Sequence, residues 1–124
     1  MDKAVRISDA EWEVMSVVWR RAPVAAAEVA DDLAARKQWT LTTVRTLLRR
    51  LVDKGALAQE AEGKRYLYRP RITMEECTRR ETESFWDRVL GRAPSSTLAH
   101  LVRKADLSPS DIQELRKILR EKEK

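Results

Sequence analysis

Apolar residues recur along this chain in two rhythms, and the change of rhythm divides it. In "ISDAEWEVMSVVWRR", residues 7–21, Trp12, Met15, Val18 and Trp19 return at helical spacing. Ser8 stands as a cap, and Glu11 completes a capping box from the third helical position. Ala22 and Pro23 break the pattern, and Val24 suits a very short strand. "AAAEVADDLAARK" predicts a second helix with Val29, Ala30 and Leu33 inward. After "KQWT", with Thr40 as cap, Val44, Leu47, Leu48, Leu51 and Val52 form the inward stripe of a third helix, which Gly55 stops in left-handed conformation.

"ALAQEAEGKRYLYRP" then loses the helical period. Tyr66, Leu67 and Tyr68 suit a strand, Glu62-Gly63-Lys64 suits a turn and Pro70 ends the run, which together predict a two-stranded hairpin. From Thr73 onward the pattern is helical again. "TMEECTRRETESFWDRVLG" is a long helix with few apolar positions before Phe85 and Trp86, "APSSTLAHLVRKA" is a short one, and the last opens with Ser108 as cap and Pro109 at its first position. The expected fold is mainly α with a small β-hairpin. Three helices followed by a hairpin is the order of a winged helix-turn-helix domain, placed at residues 1–72, with a C-terminal helical region at 73–124.

Charge sharpens the picture at the third helix. Its outward face carries three arginines and three threonines against one acid, Asp53, in a chain of net charge +5 and pI near 9.7. A basic balance suits a polyanion, nucleic acid first. Arg45 and Arg49 share one face with Thr42 and Thr46. Each guanidinium can hold a phosphate or pair bidentately with guanine O6 and N7. Arg50 and Lys54 lie further round and are assigned to backbone or solvent, while Lys64 and Arg65 at the hairpin tip are placed to reach flanking phosphates.

Other chemistry is sparse. His100 is the one histidine and Cys77 the one cysteine, so neither an internal disulfide nor a thiolate metal cage is available. Cys77 is expected to be a small buried hydrophobe and His100 a structural or surface residue. No phosphate loop or nucleophile–base set can be assembled, which argues against an enzyme and against any cofactor or metal. Lys3 and Arg6 lead into Asp9, Glu11 and Glu13 rather than an apolar run, and no stretch approaches the roughly 20 apolar residues of a membrane span. A cytoplasmic chain without membrane insertion is expected.

"ISDAEWEVMSVVW", "QWTLTTVRTLLRRLVDKGAL" and "GKRYLYRP" together resemble the BlaI/MecI family of bacterial repressors, and the resemblance runs from about Ile7 to Leu119. It implies a homodimer binding double-stranded operator DNA of dyad symmetry, upstream of β-lactamase or related resistance genes. Carried over by position, the recognition helix is about residues 40–54, with Thr42, Thr43, Arg45, Thr46 and Arg49 on its groove side. Copper-responsive members carry paired cysteines near the C-terminus; this chain ends "LREKEK", which disfavours a thiolate copper switch.

The residues support a dimer independently. Phe85, Trp86, Val89, Leu98, Leu101, Val102, Ile112, Leu115, Ile118 and Leu119 form an apolar set outside the winged domain, more than helices of this size can hide alone. A symmetric partner covers it economically, with Trp86 as the expected anchor. In the family, a sensor-protease pathway leads to cleavage at an Asn-Phe bond in the dimerisation region. Matching "LAHLVRKADLS" to it puts the bond at His100-Leu101, where this sequence departs at both positions. The alternative reading is a winged-helix protein-interaction module without sequence-specific DNA binding; a protein-docking helix would more often be apolar over residues 42–49.

Overall fold

A computed structural model describes residues 6–124; Lys3 and the start of the 1–72 segment lie outside them. The elements are α1 (Asp9–Arg21), β1 (Val24–Ala25), α2 (Ala26–Lys37), α3 (Leu41–Asp53), β2 (Leu57–Glu62), β3 (Arg65–Pro70), α4 (Met74–Arg88), a 3-10 turn at Leu90–Arg92, α5 (Ser96–Lys104) and α6 (Pro109–Glu123). They separate into two compact units, one running to Phe85 and one from Trp86 to Lys124.

In the first unit α1 opens with the expected capping box. Glu11 N–H donates to Ser8 Oγ at 3.2 Å, and Ser8 N–H donates to Glu11 Oε1 at 2.9 Å. The core side of α1 is Val14, Met15, Val17 and Val18. Trp12 and Trp19, expected inward, sit half-buried at its edge with ring centroids 5.5 Å apart. An indole N–H needs a partner, and at the edge Trp19 Nε1 reaches the carbonyl of Ile72 at 2.9 Å. Helix α2 buries Val29 and Leu33, leaves Ala30 half-covered and ends at Gln38 with φ 52°. Helix α3 starts at Thr40, whose Oγ1 accepts from Thr43 N–H at 3.1 Å. It buries Val44, Leu47, Leu48 and Leu51, each leucine contributing about 1.5–3 kcal/mol, and stops before Gly55 at φ +84°.

The hairpin forms in the expected place, with Glu62 opposite Arg65 around Gly63. It is not two-stranded: β1 joins as a third antiparallel strand, in the order β1-β3-β2, with Val24 against Tyr68 and Ala25 against Leu67. Two residues suffice because the pairing ties the α1–α2 connection to the wing, a long-range contact that local pattern does not announce. Leu57, Tyr68, Ile72 and Cys77 complete the core. The sequence put the boundary near residues 70–73, whereas the compact units divide at Phe85/Trp86. Cys77 is part of the first unit's core, so the opening turns of α4 belong with it.

In the second unit α6 repeats the capping box. Asp111 N–H donates to Ser108 Oγ at 3.1 Å, and Ser108 N–H to Asp111 Oδ2 at 3.0 Å. No described residue from Trp86 onward is buried. No described helix is long and apolar enough to cross a membrane.

Candidate nucleic-acid interface

With its apolar stripe turned to α1, α2 and the sheet, α3 leaves Thr42, Thr43, Arg45, Thr46, Arg49 and Arg50 exposed. The wing rises beside it and encloses an open groove of about 750 Å³. Arg45, Arg49, Val52 and Asp53 form the α3 wall, and Gln59, Lys64, Arg65, Tyr66 and Tyr68 the wing wall. Ala25, Ala26 and Ala27 also line it. The structure therefore brings Arg45, Arg49, Lys64 and Arg65 to one groove. Thr42, Thr43, Thr46 and Arg50 are on α3's solvent side but do not line it.

Most other cations of the first unit are ion-paired, Arg6 and Arg71 being exceptions among the described residues. Arg20 and Arg21 hold Asp32 at 2.9 and 2.8 Å, Arg36 holds Glu13 at 3.0 Å, and Arg69, Arg79 and Arg80 each have a carboxylate partner. Among the described residues Arg45, Arg49, Arg50 and Lys64 form no ion pair, and Arg65 is held by Glu62 at 2.9 Å. Four unneutralised cations on and beside one helix face give that face a positive field, which low salt screens least.

Lys54 is a correction. Assigned from sequence to backbone or solvent, it turns back from the end of α3. Its Nζ donates to Glu11 Oε1 at 2.5 Å and to the carbonyl of Arg6 at 2.7 Å. Burial alone would raise the Glu11 pKa, but hydrogen bonds from Lys54 and Ser8, with the lysine charge, outweigh it and hold the carboxyl below its usual range. Lys54 thus satisfies a buried carboxylate and fixes the C-terminal end of α3 to the start of α1.

Gln59, Tyr66 and Asp53 are groove residues that the sequence reading left out. The strand period carried the signal for two of them. Tyr66 and Tyr68 are two apart and so share a face, and Gln59 pairs with Tyr68 in register. Burial pushes the Tyr68 phenol up, partly offset by the charge of nearby Arg45. Burial likewise raises the Cys77 thiol, with the charge of Glu81 adding to it.

The apolar set near the C-terminus lies open. Trp86 is 53% exposed, Leu98 54%, Leu101 38%, Ile118 42% and Leu119 61%; Phe85, Val89, Val102 and Ile112 are also exposed, and Leu115 is half-buried. His100 and Leu101 are both exposed near the middle of α5.

The family model described as penicillinase repressor matches residues 7–121. The penicillinase repressor of Bacillus licheniformis is 35% identical over 121 residues, covering 98% of this chain and 94% of that protein. The methicillin resistance regulatory protein MecI of Staphylococcus aureus strain N315 is 31% identical over 121 residues, covering 98% of each. The solution structure of the Bacillus licheniformis BlaI monomeric form in complex with the blaP half-operator aligns at TM-score 0.52 and 39% identity, over 61% of this chain and 93% of that one.

Proposed function

The chain belongs to the penicillinase repressor family, and we propose that it is a homodimeric repressor that binds a dyad-symmetric DNA operator through α3 and the wing. The regulated genes in this reading are β-lactamase or related resistance genes, and the protein acts in the cytoplasm. The observation that carries the DNA reading is the set of unpaired cations, Arg45, Arg49, Arg50 and Lys64, around α3 while most other cations of the unit are neutralised. Arg45 and Arg49 read bases, Thr42, Thr43 and Thr46 complete the groove side, and Arg50, Lys64 and Arg65 hold phosphates. The likeness to a repressor bound to its half-operator supports the same face.

Residues 73–124 supply the dimer in this reading, through the exposed apolar side chains with Trp86 as anchor. Linking two half-sites multiplies their binding, so separating the protomers releases the operator without altering the winged fold. A sensor-protease that cuts at His100-Leu101 would do this. The bond lies inside a nine-residue helix, and a helix so short is marginal on its own, so α5 can open for cleavage.

The test is a salt titration on operator duplexes selected from genomic fragments. Affinity should fall by about 0.9 log units per neutralised phosphate for each log unit of salt. Arg45→Ala or Arg49→Ala should cost about 1–3 kcal/mol and relax one position, whereas Lys64→Ala should weaken all duplexes alike. A flat salt profile overturns the nucleic-acid reading.

A further inference from the structure

The hydroxyls on the open side of α3 differ in what they have left to offer. Thr46 Oγ1 donates to the carbonyl of Thr42, one turn back, at 3.0 Å. A threonine hydroxyl has one hydrogen and two lone pairs, so the hydrogen of Thr46 is committed to the helix backbone while its lone pairs remain available. Thr40 and Thr43 share one hydrogen across 3.1 Å, which leaves another free to turn outward. Thr42 has no side-chain partner among the described residues. Turning the Thr46 hydrogen toward a phosphate breaks its bond to Thr42. Accepting an N–H from outside leaves that bond intact, and the bond holds the oxygen in one rotamer.

We propose that Thr46 is a specificity-determining residue that accepts a hydrogen bond from an exocyclic amino group in the major groove, adenine N6 or cytosine N4. Phosphate oxygens, guanine O6 and N7, and thymine O4 are all acceptors, so none of them matches a hydroxyl with only lone pairs to present. The inference rests on the DNA-binding reading above, and it assigns Thr46 a role distinct from the guanine-directed arginines beside it.

The full-length chain is first used to select duplexes from a randomised library. Binding is then measured on selected duplexes in which adenine is replaced by purine, or cytosine by a pyrimidinone lacking the amine. Wild type should lose roughly three- to tenfold at one position of each half-site, and the analogue responsible tells adenine from cytosine. Thr46→Val, which keeps the shape, should already be weakened by that factor and be indifferent to the analogue; Thr46→Ser should respond as wild type does. A Thr46→Val protein that binds every duplex more weakly by one factor makes Thr46 a phosphate contact and overturns the inference. So does one whose base preferences are unchanged. If wild type itself selects no sequence, the DNA-reading function fails, and this assignment fails with it.

Discussion

Helices α3 and α5 carry the same kind of apolar stripe, yet opposite faces of the two stay open. In α3, Val44, Leu48 and Leu51 are fully covered by α1, α2 and the sheet, and what remains outside is threonine and arginine. In α5, Leu98, Leu101 and Val102 remain 54%, 38% and 45% exposed. A periodic pattern says which face of a helix is apolar; it does not say what covers that face. Where the chain supplies the cover, the helix is left with a polar surface to use on a ligand. Where it does not, the apolar surface itself is what a second copy can use.

The largest effect should come from putting a charge on the open stripe. Leu101→Asp should sediment as a monomer at micromolar concentration, where the proposed interface predicts a wild-type dimer, and lower operator affinity by about a hundredfold or more, with the melting of the winged unit unchanged. Leu48→Ala is its counterpart: a loss of about 2–5 kcal/mol in folding stability, independent of protein concentration. A Leu101→Asp protein that sediments as wild type would erase the contrast between the two stripes.

A smaller effect tests how α3 is held. The folded Glu11 carboxyl lies below its ordinary value. Its contribution is therefore present at neutral pH, above the unfolded value of about 4.3, and is lost as pH falls through the folded value. Glu11→Gln should lower stability at neutral pH by about 2 kcal/mol and flatten the acid limb of a thermal unfolding series. An acid limb identical to wild type would show that the pair does not stabilise the fold. Smallest of all, Asp53→Asn removes the one acid of α3 from the groove and should raise affinity for every duplex roughly two- to threefold. Loss of affinity in an anisotropy titration would mean that Asp53 positions a neighbouring cation instead.

What the sequence disclosed follows from how local each determinant is. Ser8–Glu11, Thr40, Gly55 and Ser108 act within one turn of where they stand, and the elements they delimit are legible from spacing alone. Lys54 is different: its partners Glu11 and Arg6 lie more than 40 residues away, and nothing in the helical rhythm separates it from Arg50. The third strand is hidden for the same reason, since Val24 meets Tyr68 only once the fold has closed. Cys77 was correctly expected to be buried. Its surroundings in α4, where Met74 is the one other apolar residue before Phe85, carry no sign that the core it joins is the winged unit's.

The arrangement of tryptophans has a spectroscopic consequence. Trp12 and Trp19 lie 5.5 Å apart, close enough to exchange excitation, and Trp39 sits beside the cap of α3 within 5.9 Å of the Lys37 ammonium. Trp86 alone belongs to the second unit, with half its surface in water. In the unassociated chain its emission should therefore lie to the red of the others, and it should shift to the blue when a second copy covers it. The chain carries separate intrinsic fluorophores in its two units, so the proposed association and operator binding would be read by different tryptophans in one unlabelled sample.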